Sequence, residues 1–433
     1  MIRTIFVIAF IVLASQIAHA GVNDVQKAAF SEGKDAWLIQ EQSVPILSVR
    51  LAFADVGAAH VSPEKRGLAV LAARLLSEGA GDLDSTAFQS ALDRDAIEMS
   101  ARVGQDNVIV SLETLSEHKE RAFELLAMAL TKPRIDKSAF ERVKARMITE
   151  LTILQQRAGY MASRHFADKA FGAHPYHAEA RGTAETLKTL TIDDVHHYIK
   201  TSLAVDNLTI AVVGDISKTD LSRLLKKYFK NVPLEHERRS ELSEVTWQGD
   251  GKKFHFDHPN AQTEIQFGWD GIKRDNPDFY AAYIMNHMLG GSGLTSKLSL
   301  VIRGEHGLAY SVGTGLAAYD KGAMLKGSFA TRHEQAEKAV SLLKKTTAKI
   351  AKKGFTAEEL ATAQRYLEGS FPLNLASNQS LVQYLLTMQL DELGADYLEK
   401  RNDYMNAVTL DDVNRLARDI LSADKLLIVT TGN

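Results

Sequence analysis

The stretch from Thr191 to Asp215, TIDDVHHYIKTSLAVDNLTIAVVGD, returns as TLDDVNRLARDILSADKLLIVTTGN from Thr409 to Asn433. The copies align without a gap: Thr191 falls on Thr409 and Gly214 on Gly432, a constant offset of 218 residues. Thr191, Asp193, Asp194, Val195, Leu203, Asp206, Leu208, Ile210 and Gly214 each meet an identical residue in the second copy. Each copy spells the same unit. A Thr stands as N-cap ahead of two acids that favour a helix N-terminus, and an amphipathic helix follows. A short polar break then leads to an apolar run of strand length closed by Gly. A repeat at half the chain length is far longer than any solenoid period. It implies two similar domains, which suits 433 residues at roughly 100–200 residues per domain.

Alternating strand and helix patterns in both halves indicate α+β or α/β layers with helices packed on a sheet. In the first half, AWLIQ and ILSVRLAFADVGA read as strands. KRGLAVLAARLLSEG reads as a helix with Leu68, Leu71, Leu75 and Leu76 on one face and Gly79 as its stop. Further helices are expected over 117–130, 136–157, 159–171 and 217–230. The polar stretch 231–253 reads as a linker. The second half restarts with the strand TEIQFGW, a helix over 276–289 and the glycine-rich LGGSGLTSKL. The expected division is thus 1–20 leader, 21–230 first domain, 231–253 linker and 254–433 second domain.

The first 20 residues, MIRTIFVIAFIVLASQIAHA, have a basic start at Arg3, an apolar core from Ile5 to Leu13 and a small-x-small site at Ala18 to Ala20. The apolar run is short of the roughly 20 residues that a spanning helix needs. Cleavage after Ala20 is therefore expected, giving a periplasmic or secreted protein with no membrane span. The chain has no Cys, which excludes disulfides, a thiol nucleophile and thiolate metal ligands. The formal charge of −3 gives no reason to expect nucleic acid as a partner.

Autonomous catalytic motifs are missing. A helical zinc pair needs His at i and i+4 with a Glu between them, yet none of the 14 His are four apart. GGSGLTSK lacks the Gly-Lys-Ser/Thr ending of a phosphate loop, and no Ser sits in a Gly-x-Ser-x-Gly elbow.

GLAVLAARLLSEGA, FGAHPYHAEARGTAETLKTLTIDDV, NLTIAVVGDI and MLGGSGLTSKLSLVIRGEHGLAYSV together resemble the pitrilysin/insulinase family of zinc peptidases, in the branch of the mitochondrial processing peptidase. The resemblance covers essentially all of the chain beyond the leader and implies an α+β fold: two homologous α/β domains, with helices packed on a mostly antiparallel sheet. Active members carry His-x-x-Glu-His just after a Gly-Leu-Ala. Here Gly67-Leu68-Ala69 is followed by Val70 at the first ligand position, Ala73 at the base position and Arg74 at the second ligand position. A permanently charged guanidinium repels Zn²⁺. The family's third ligand, a later Glu, would fall at Glu150, which cannot hold a metal alone.

The resemblance also implies a substrate grip in the second domain, an Arg and a Tyr at Arg303 and Tyr310. A guanidinium can donate to a peptide carbonyl and a phenol can bond a developing oxyanion. Two functions follow. The chain is expected to be the subunit without zinc of a hetero-oligomeric peptidase, with peptide or unfolded protein as substrate. A homologous partner carrying the zinc motif would supply zinc and the water-activating Glu. The alternative is a non-enzymatic scaffold or peptide-binding protein of the same fold.

Overall fold

The computed structural model describes residues 24–433, so the leader and its cleavage site lie outside the described residues. Eleven strands form two sheets. The first holds β1 (Val25–Ser31), β2 (Lys34–Gln40), β3 (Ile46–Phe53), β4 (Glu98–Val103), β5 (Val108–Leu115) and β6 (Leu208–Gly214), in the order β1-β2-β6-β3-β5-β4. The second holds β7 (Lys253–Asp257), β8 (Thr263–Asp270), β9 (Gly313–Tyr319), β10 (Gly322–Thr331) and β11 (Leu427–Gly432), in the order β7-β11-β8-β10-β9.

The second sheet reproduces the first without β1. In each, the last strand of the repeat enters between two earlier ones, parallel to one (β6 to β2, β11 to β7) and antiparallel to the other (β6 to β3, β11 to β8). All remaining pairs are antiparallel. The mostly antiparallel α+β architecture expected from the sequence is the one observed.

The repeated segment also folds alike in detail. Thr191 and Asp194 form a capping box at the helix Ile192–Ser202, and Thr409 and Asp412 form the same box at the helix Leu410–Ile420. In each box the Thr hydroxyl receives the N3 backbone N–H while the N3 acid receives the Thr N–H, satisfying two otherwise orphaned donors. The strand that follows is buried in both copies, with every residue of β11 enclosed. At the end of β6, Gly214 has φ +139°, and a Cβ there would lie 2.1 Å from the Ile46 carbonyl oxygen. Only glycine fits that contact.

The chain divides into two compact units that differ from the linear division. One comprises the described residues up to Arg146 with Glu185–Arg239 and Pro372–Lys400; the other comprises Met147–Ala184, Ser240–Phe371 and Arg401–Asn433. One crossing, between Arg239 and Ser240, falls within the expected 231–253 linker, which has no helix or strand between the 3₁₀ turn Phe229–Asn231 and β7. The two halves, however, exchange a helix. Ala158–Phe171, from the N-terminal half, packs on β8 and β11 through Ala162, Phe166 and Ala170. Asn378–Leu390, from the C-terminal half, packs on β3 and β6 with Leu381, Val382, Leu385 and Leu386 buried. Each apolar stripe covers the sheet of the other repeat, so 21–230 and 254–433 are repeats of sequence rather than compact bodies. Among the described residues, no helix is long and apolar enough to cross a membrane.

Candidate functional site

Helix Leu68–Leu75 begins at Gly67, whose φ of +96° reverses the chain after the 3₁₀ turn Pro63–Lys65. Leu68, Ala69, Leu71, Ala72, Ala73 and Leu75 are buried, and the helix packs on β4 and on helix Ile192–Ser202. Val70 and Arg74, one turn apart, are its two part-exposed residues. They occupy the i and i+4 positions from which a His pair would project. Val70 offers two methyl groups and Arg74 offers only donors, while Ala73 between them is 5% exposed and has no functional group. Glu150 is part-buried on helix Lys137–Gln155, in the stretch assigned to the second unit. These residues do not fit a zinc ion. Among the described residues, no three His, Asp or Glu side chains gather as a metal site.

The other two expected site residues are brought together. LGGSGLTSKLSLVIRGEHGLAYSV does not form one regular helix. Helix Phe279–Asn286 runs into a π-helical turn at His287–Gly291, followed by a 3₁₀ turn at Gly293–Thr295 and a second π-helical segment at Ser299–Glu305. Wide turns of this kind redirect side chains and are frequent at functional sites. Ile302 and Leu308 are buried on either side of the loop, whose Gly307 turns at φ +59°. The Leu308 N–H donates to the Ile302 carbonyl at 2.9 Å, and the Ser299 hydroxyl donates to the Val312 carbonyl at 3.1 Å. This frame places the Arg303 guanidinium carbon 5.9 Å from the centre of the Tyr310 ring. A cation over an aromatic face at that distance is attracted by the ring quadrupole. Tyr310 is 89% exposed, the most exposed large hydrophobic residue among those described.

A neighbouring feature of the second unit was not read from the sequence. A cavity of about 860 Å³ is lined by the segment His287–Leu300 and by helix Ala357–Ser370. The His287 ring stacks on Tyr366 with centroids 5.2 Å apart, and burial pushes its pKa down. Lys297 pairs with Glu359, whose carboxyl also caps Thr356. The capping box Thr356/Glu359 is visible in the sequence, but its contribution to a cavity depends on a tertiary contact.

Known proteins resemble this chain over nearly its whole length. Residues 38–184 match the model of the insulinase family, peptidase family M16, and residues 189–367 match the model described as the peptidase M16 inactive domain. A Helicobacter pylori protein described as the non-peptidase homolog YmxG is 25% identical, over 95% of both chains. A Bacillus subtilis relative, an uncharacterized zinc protease also called YmxG, is 23% identical over 92% of this chain and 96% of its own length. The crystal structure of a peptidase M16 inactive domain from Pseudomonas fluorescens superposes with a TM-score of 0.88 at 27% identity, covering 94% of this chain and 98% of that one. The chain therefore belongs to the insulinase, or M16, peptidase family, as a member whose helix Leu68–Leu75 carries no metal ligand.

Proposed function

We propose that this chain is a catalytically inactive family member acting in the periplasm as the zinc-free subunit of a hetero-oligomeric peptidase. A homologous sister chain supplies the zinc and the water-activating Glu. This chain supplies Arg303 and Tyr310 to hold the peptide. The observation that carries the reading is a contrast. The helix of the first unit has lost every ligand, whereas the Arg303–Tyr310 pair of the second is assembled, framed and open to solvent. A scaffold has no use for that pair.

The test is a complex reconstituted from this chain and a zinc-bearing homologue. Tyr310→Phe keeps the ring and removes the O–H. A donor poised at a developing oxyanion is worth on the order of 10²–10³ in rate, so kcat should fall towards that extent. Arg303→Ala should mainly raise KM by removing ground-state binding. Unchanged turnover with both substitutions in place would leave a non-enzymatic scaffold as the better description.

A further inference from the structure

The first unit holds a second polar site, unconnected with metal or peptide cleavage. A cavity of about 310 Å³ opens where β3, β5 and β4 lie side by side. Strand register sets Ser48 opposite Glu113 and Arg50 opposite Ser111, which in turn faces Ser100 on β4. Since side chains alternate across a strand, these polar groups share one face of the sheet. The apolar Leu92 and Val382 lie in its wall.

Arg50 is the cation in the cavity lining. It lies on a central strand, part-buried, and its Nη1 donates to the Ser111 hydroxyl oxygen at 2.6 Å. Its Nε is fully enclosed and has no hydrogen-bond partner. A guanidinium presents five donors in a fork and no acceptor, and leaving a buried donor unpaired is costly. Burial first, and then the nearby Arg102, press the Arg50 pKa down, while Glu113 opposes them. Yet among the described residues Arg50 and Glu113 form no ion pair with each other. Glu113 instead accepts from the Ser48 hydroxyl at 3.2 Å. A base and an acid are thus held apart across one small cavity.

The charges select the ligand. Arg50, with Arg102 near it, stands against Asp93, Glu98 and Glu113. A simple anion meets three carboxylates and a simple cation meets the Arg50 guanidinium, whereas a compact zwitterion offers one end to each. We propose that this cavity binds a free α-amino acid, with its carboxylate at the Nη end of the Arg50 guanidinium and its ammonium on Glu113 beside the Ser hydroxyls. The volume lies at the low end of the roughly 300–1,000 Å³ that small-molecule sites span, which suits an amino acid better than a long peptide.

Calorimetric titration of the unmodified chain with glycine, L-leucine and L-glutamate is the direct test. At least one should bind, and its N-acetylated and its amidated forms, which each lack one charge, should both bind about tenfold or more weakly. Arg50→Met and Glu113→Gln should each weaken the same ligand about tenfold or more in protein that is folded by circular dichroism. If either variant fails to fold, the blocked ligands on the unmodified chain still decide. No heat with any of the three at millimolar concentration would overturn the proposal. So would equal binding of the blocked forms, or unchanged binding by folded Arg50→Met protein.

Discussion

At the scale of single residues, metal chemistry turns on three side chains. Helix Leu68–Leu75 has a well-buried apolar face, and the groups at 70, 73 and 74 are those that offer a metal nothing. Because Val70 and Arg74 project together from the part-exposed face, the double substitution Val70→His with Arg74→His should create an i, i+4 imidazole pair. That variant should bind zinc measurably by calorimetry while the unmodified chain does not. Equal heats from both proteins would show that the face at 70 and 74 is not what limits binding. This loss was legible in the sequence, since it needed only the identities of residues placed by a motif. The pairing of Arg303 with Tyr310 was half legible. The motif names both residues, but their separation of 5.9 Å depends on the π-helical turn at Ser299–Glu305, which no periodicity of 3.6 announces.

Among elements, the repeat was the most readable feature because its caps act locally. Thr191/Asp194 and Thr409/Asp412 fix two helix starts through contacts within four residues. Thr409→Ala should therefore destabilise the chain by about 1 kcal/mol, the usual worth of a Thr N-cap, in chemical unfolding. A change within error would mean that the box contributes nothing beyond solvation. Long-range partnerships were less readable. Strand β1 is short and mixed in pattern, Val-Gln-Lys-Ala-Ala-Phe-Ser, and becomes a strand by pairing with β2 after the turn at Gly33, where φ is +65°. The exchange of helices Ala158–Phe171 and Asn378–Leu390 was hidden for the same reason. An amphipathic stripe shows that a face is buried but not which sheet buries it. The exchange was therefore not read from the sequence.

For the whole molecule, duplication explains how one half can lose chemistry without loss of fold. Each sheet with its covering helices is a separate core, and helix Leu68–Leu75 contributes to the first mainly through Leu68, Leu71 and Leu75 rather than through positions 70 and 74. Ligands can be lost while the apolar face is kept. What remains is a family fold with a solvent-facing Tyr310 beside Arg303 and no cluster of metal ligands among the described residues, a combination that suits the proposed pairing with a metal-bearing homologue. Elemental analysis for zinc, on the isolated chain after dialysis and on the complex purified with its partner, tests that claim most directly. Zinc should be absent from the isolated chain and present in the complex in proportion to the partner. Stoichiometric zinc retained by the isolated chain would contradict it.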